Sequence, residues 1–218
     1  MAKVVVVFHS GYGHTQRMAQ SVAQGADAEL IAIDAEGNLP EGGWDALNEA
    51  DAIIMGSPTY MGSVSWQFKK FADASSKAWF AQQWKDKIAA GFTNSAGMNG
   101  DKQGTLTTLF TLAMQHGMIW VSQGLMPSNT KAAQRNDVNY LVSYSGAIAQ
   151  SQSAANAVAP ELTVRASRLG APSGVLAQAY DESQSVGSVL NRMRVSECRS
   201  VAAKAASPHA HLMVVPMV

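Results

Sequence analysis

The chain holds a single cysteine, Cys198, in 218 residues, so an internal disulfide framework is excluded and a reducing compartment is expected. An excess of charge of either sign is missing too, since 16 acidic residues balance 16 basic ones. That balance, with no basic cluster in the sequence, leaves no electrostatic footprint for nucleic acid or for an anionic membrane surface. No apolar run approaches the roughly 20 residues that a membrane-spanning helix needs. The first apolar strand begins two residues after Met1, which leaves no room for a signal peptide and predicts a cytoplasmic protein. Metal ligation is not expected, because His209 and His211 lack further ligands beside them, and Cys198 has no neighbouring histidine or acid to activate it.

What is present is organised around Lys3 to Thr15, KVVVVFHSGYGHT. Unbroken apolar residues followed at once by turn residues read as a buried parallel strand, covered on both faces and so free of polar alternation. The turn hands the chain to a helix N-terminus, where backbone N–H groups without intrahelical partners and a positive macrodipole suit a phosphate. Two absences narrow the choice of phosphate. The loop ends Gly13-His14-Thr15 with no lysine, which argues against a nucleoside triphosphate. Gln16 stands where a dinucleotide fingerprint needs its third glycine, which argues against a pyrophosphate. A hydroxyl-rich loop with Ser10 and Thr15 at its ends remains, suited to the single terminal phosphate of a mononucleotide such as FMN.

Beyond this loop, strands and helices alternate. Strands are expected at 29–34 (ELIAID), 51–57 (DAIIMGS), 87–93 and 118–122, and helices at 15–25, 64–78 and 106–116, with Gly25 ending the first helix and a short helical turn within 35–49. Five strands joined by helices predict an α/β fold, a doubly wound parallel sheet with helices on both faces. One domain over about 1–170 is expected. Residues 171–218 read as a C-terminal helix and an irregular tail, with Val186, Val189, Leu190 and Met193 at helical spacing.

Ligands of such sheets bind beyond the carboxyl ends of the strands, where strand order reverses. Here three strands end in glycine-containing loops that also carry hydroxyl or amide groups: HSGYGHT (9–15), PTYMGS (58–63) and TNSAGMNG (93–100). With DAIIMGSPTYMGSVSWQFKKFAD, the tryptophan of SSKAWF and HGMIWV, these stretches resemble the WrbA-like NAD(P)H:quinone oxidoreductases of the flavodoxin-like fold. The resemblance is close over roughly residues 1 to 125. It implies a five-stranded parallel sheet of order 2-1-3-4-5 and an FMN cofactor reduced by NADH or NADPH. Ser10, Gly11, Tyr12, Gly13, His14 and Thr15 are implied to hold the FMN phosphate. Pro58, Thr59, Tyr60, Met61 and Gly62 are implied to line the isoalloxazine ring, and Thr93, Asn94, Ser95, Ala96, Gly97 and Met98 to wrap its other edge. His116 is implied to approach the flavin, where an imidazole is suited to donate a proton to a reduced quinone. Tyr12 matches the residue that meets the nicotinamide. Trp79 matches the aromatic that covers the substrate side, in the family often across a subunit boundary. A homodimer or homotetramer is implied, and the aromatic cluster of Trp79, Phe80 and Trp84 argues the same way if left exposed.

Two departures stand out. Tyr60-Met61 replaces the Arg-Phe pair common in the family, which removes a cation near the flavin. The third loop replaces a Ser/Thr-rich version with consecutive glycines. Two function classes stay open: an enzyme reducing a quinone with two electrons from NAD(P)H, and a flavodoxin-type electron carrier without a small-molecule substrate of its own. Carriers dock by complementary charge, and this balanced chain with its tryptophan and histidine favours the enzyme.

Overall fold

The computed structural model describes residues 2–135 and 137–151. The expected C-terminal helix, the tail, Cys198 and the domain limit at 170/171 lie outside the described residues. The element order is β1 (Val4–His9), α1 (His14–Ala26), β2 (Glu29–Ile33), α2 (Gly43–Glu49), β3 (Ala52–Tyr60), β4 (Ser63–Val64), α3 (Trp66–Ala74), α4 (Ser76–Phe80), β5 (Ile88–Ser95), α5 (Lys102–Gln115), β6 (Ile119–Trp120) and β7 (Ala147–Gln150).

The sheet runs β2-β1-β3-β5-β6, all parallel, with β7 also parallel on β5. This is the flavodoxin-like order, with one difference at its edge. The fifth strand is split: β6 pairs with Ile88 and Ala89 at the start of β5, whereas Phe92 to Ser95 at its end pair with β7. Residues 121–146 lie between the two halves. The expected strand at 118–122 is thus only its first half, because a strand of average polarity such as AIAQ carries no apolar run to reveal the second.

Both sheet faces are apolar because both are covered. Val4, Val6 and Phe8 of β1 pack with Met18, Ala19 and Val22 of α1 on one side. Val5 and Val7 pack on the other with Leu47 of α2, Phe68 and Phe71 of α3, and Leu106 and Leu109 of α5. Each fully buried Val, Leu, Ile or Phe contributes on the order of 1.5–3 kcal/mol, so these two layers fix the strand ends that carry the site loops.

Several helix limits differ from the sequence reading, each for a local reason. Helix α1 passes through Gly25 and ends at Asp27, which takes the left-handed conformation (φ 50°) and donates its N–H to the Ala23 carbonyl. The expected helix at 64–78 starts only after Ser65, whose hydroxyl caps it by accepting from the Phe68 N–H at 3.3 Å, and breaks at Ser75 into α3 and α4. The Ser75 hydroxyl donates to the Ala72 carbonyl, a bond that competes with the helix ladder. Helix α5 begins a turn earlier than expected. Where the sequence suggests a loop at 58–63, β3 runs on to Tyr60 and turns back into β4 through Met61 (φ 47°) and Gly62 (φ 79°). Positive φ at both positions makes a type I′ hairpin, the turn whose twist matches that of the strands. Among the described residues no helix is long and apolar enough to cross a membrane.

Candidate functional site

The three loops converge at the carboxyl end of the sheet. Ser10, Tyr12, His14 and Thr15 from the first, Pro58, Thr59 and Tyr60 from the second, and Asn94, Ser95 and Ala96 from the third line one cavity of about 340 Å³. Ser151, just past β7, completes it. The sequence reading missed Ser151 for the same reason that it missed the split strand.

The floor of the cavity is a set of buried hydroxyl and amide groups bonded across elements. Thr59 Oγ1 meets Thr93 Oγ1 and Thr105 Oγ1, each at 2.8 Å, which ties β3 to β5 and α5. Thr15 Oγ1 donates to Asn94 Oδ1 at 2.7 Å, and Asn94 Nδ2 donates to Ser151 Oγ at 3.0 Å. A satisfied network of this kind holds its members in fixed rotamers. Thr15, 1 % exposed, therefore sits behind the first loop and aligns it with the third. Behind them His9, at the end of β1, bonds Ser65 Oγ through Nδ1 at 2.8 Å, and burial lowers its pKa.

The first loop has the form of an anion cradle. Gly13 caps α1 in the left-handed conformation (φ 85°) without a side chain of its own to offer, and the first turn of the helix has no acidic residue. Ser10 Oγ accepts the Gln16 N–H at 3.1 Å, which leaves its own proton to donate outward. At Gly11 an added Cβ would lie 2.7 Å from the Tyr60 hydroxyl, so the second loop closes over the first with the Tyr60 ring against the bare backbone of Gly11. These features fit a phosphate, and the cavity beside them fits the remainder of FMN. The residues that would hold it are Ser10 to Thr15 at the phosphate and Pro58 to Tyr60 with Asn94 to Ala96 around the ring. Tyr12 and Tyr60 stand edge to face at the mouth with ring centroids 6.3 Å apart. Tyr60 has its phenol pKa raised by burial and then by Tyr12. Among the described residues no carboxylate lines the cavity.

Other expected residues take supporting places. Thr93 is buried beneath the cavity, and Met61 and Gly62 form the hairpin turn, Met61 fully in solvent. The Gly97 and Met98 carbonyls point back to Lys102.

His116 and Trp79 are not brought to this cavity. Helix α5 runs back from the carboxyl end of β5, so His116 caps its far end, next to the amino ends of the strands, where Ile119 pairs with Ile88. It is 2 % exposed, bonded through Nε2 to Ser75 Oγ at 2.9 Å, with its ring 4.3 Å from that of Trp84. Burial lowers its pKa to about 4. The eight residues of β5, at about 3.3 Å each, separate it from the loops. The expectation of a proton donor beside the flavin of the same chain is therefore corrected. Trp79 lies at that same end on α4, its N–H bonded to the Ser75 carbonyl. Trp84 is corrected as well: it is 1 % exposed, stacked on Trp44 and Phe71, and its Nε1 donates to Asn48. It is core, while Trp79 and Phe80 are exposed.

Comparison with known proteins agrees with this geometry. The family model described as NADPH-dependent FMN reductase matches residues 5–133. The chain is 60 % identical over 159 residues to flavodoxin FldP of Pseudomonas aeruginosa, covering 73 % of this chain and 86 % of that one. It is 31 % identical over 159 residues to an NAD(P)H dehydrogenase (quinone) of Geotalea daltonii, covering 62 % and 76 %. Among solved structures, the flavodoxin, WrbA-like protein from Agrobacterium tumefaciens superposes with a TM-score of 0.67 at 52 % identity, covering 82 % of this chain and 99 % of that one. Sheet order, phosphate cradle and a family match over more than half of the sequence lead to one conclusion: this chain belongs to the NADPH-dependent FMN reductase family, as a flavodoxin-like flavoprotein.

Proposed function

We propose that the protein is an FMN-dependent oxidoreductase that takes electrons from NADH or NADPH and delivers them to a quinone. The observation that carries this reading is the character of the cavity mouth: two tyrosine rings and, among the described residues, no carboxylate. Such a mouth suits flat, apolar aromatic molecules that stack, whereas a protein partner is steered by charge. FMN supplies the hydride and electron chemistry when bound. The chain's own part is to hold the phosphate at Ser10 to Thr15, to fix the ring between the strand ends of β3 and β5, and to leave its outer face open beside Tyr12. His116 takes no part as an acid or base toward the cavity of its own chain, since it is buried at the other end of the sheet.

A second reading, a flavodoxin-type electron carrier, is favoured by the name of the relative at 60 % identity and by the absence of that imidazole from the cavity. One experiment separates the two. FMN-loaded protein mixed with NADH or NADPH under nitrogen is expected to lose its yellow absorbance, and a quinone added next is expected to restore it. A flavin that stays oxidised until a separate reductase is added would favour the carrier.

The reading extends to a homodimer or homotetramer. Trp79 at 45 % and Phe80 at 86 % exposure form an apolar projection on the amino end of the sheet, which a second copy would cover. Only another copy is able to bring this Trp79 to a cavity at the carboxyl end. Light scattering at micromolar concentration is expected to report a dimer or tetramer, and a fully active monomer would reject the assembly.

A further inference from the structure

Lys102 is a buried cation beneath the third loop. It opens α5 and is 1 % exposed. Its ammonium donates to the carbonyls of Gly97 at 2.7 Å, Met98 at 2.9 Å and Asn99 at 3.1 Å, so all three of its protons are spent on one loop. No carboxylate neutralises it, for the ion pairs among the described residues are Lys3 with Glu49 and Lys69 with Asp73. Placement at the first position of a helix sets it against the positive end of the macrodipole, and burial adds a desolvation cost. A methionine of similar volume would avoid both penalties. The loop gains what the lysine costs. Its Gly97 carbonyl also accepts from Ser95 Oγ at 3.1 Å, and Ser95 lines the cavity. From the other side Gln150 Nε2 donates to the Ala96 carbonyl at 2.9 Å, and the Ser151 N–H to the Ser95 carbonyl at 3.0 Å.

We propose that Lys102 is the positioning residue of the FMN site: its charged ammonium gathers three consecutive carbonyls and so sets Ser95 and Ala96 in the conformation that receives the ring, while adding a fixed positive charge behind an anionic cofactor. This rests on FMN being the ligand of the cavity.

On the elements packed against α5 the titratable groups are Asp101, on the preceding residue, and Tyr60 of β3; β4, β5 and β6 carry none. Desolvation lowers the lysine pKa to about 8, and burial raises that of Tyr60. A phosphate monoester has its second pKa near 6, so the cofactor phosphate keeps its charge above pH 7. Bound FMN favours the charged lysine, so affinity is greatest below pH 8 and falls as pH rises through it.

The test is FMN affinity, read by fluorescence quenching from pH 7 to 9.5, for the wild type and for Lys102→Met. Wild-type affinity is expected to fall about tenfold or more across this range. The variant is expected to bind about tenfold or more weakly at pH 7, with little further change on going to pH 9.5. A flat wild-type profile overturns the proposal, and that measurement needs no variant to fold. A folded variant with wild-type affinity at pH 7 overturns it as well. If the wild type binds no FMN at pH 7, the cofactor reading itself fails and the proposal with it.

Discussion

Gly56→Val is expected to cost the fold about 3 kcal/mol or more, and Gly56→Ala about 1–3, the range for forcing methylenes into a well-packed core. Gly56 lies in the middle of β3, in register with Phe92 of β5, and a Cβ on it would run into the Phe92 ring. The missing side chain is what lets that ring lie across the central strand. Phe92 is fully buried, flanked by the apolar layer shared with α1, and has nowhere to move. Urea denaturation of the apo-protein is the direct measurement. A companion Phe92→Leu exchange is expected to recover part of the loss, since residues in contact couple by about 0.5–3 kcal/mol. Full additivity of the two changes would show that the clash is not the cause.

Acid is expected to destabilise the protein through His116. Burial against Trp84 holds its folded pKa at about 4, below its ordinary 6.5. A histidine with a depressed folded pKa contributes fully above the unfolded value, and the contribution is lost as pH falls from about 6.5 through about 4, because the unfolded chain then binds the proton that the folded one refuses. At about 1.36 kcal/mol per pKa unit, the loss is on the order of 3 kcal/mol. His9, lowered by burial as well, adds in the same sense. Unfolding free energy measured from pH 7 to 4 should therefore fall steeply for the wild type. For His116→Gln it should start lower, from the lost Ser75 bond, and fall less. Equal slopes would remove His116 from this account.

The parts of this fold that are readable in the sequence are those that solvent exclusion writes into it. VVVVFH and AIIMGS are apolar on both faces because helices cover both faces, and an apolar run of that kind announces a central parallel strand at its true position. The glycine-rich loops were equally legible, since Gly13 and Gly62 take positive φ where chain direction reverses. What escaped were features held by single contacts. The second half of the fifth strand, Ala147–Gln150, alternates buried and half-buried residues and borrows its register from β5. The break at Ser75 rests on one hydroxyl, and the left-handed end of α1 fell on Asp27 and not on the glycine two residues earlier. His116 misled most. Its place in a familiar motif suggested a flavin contact, whereas the antiparallel run of α5 carries it to the opposite end of the sheet, a consequence of helix length and direction that residue types do not display.

The first turn of α1, capped by Gly13 and lacking acid, is the proposed seat of the terminal phosphate of a flavin mononucleotide. Comparing FMN with riboflavin isolates that phosphate, because the two share everything else. Fluorescence titration of the apo-protein at pH 7 is predicted to show FMN binding at least about 100-fold tighter than riboflavin, equivalent to about 2.7 kcal/mol supplied by the loop. Affinities within about threefold of each other would contradict the account, since the loop from Ser10 to Thr15 would then contribute nothing to cofactor binding.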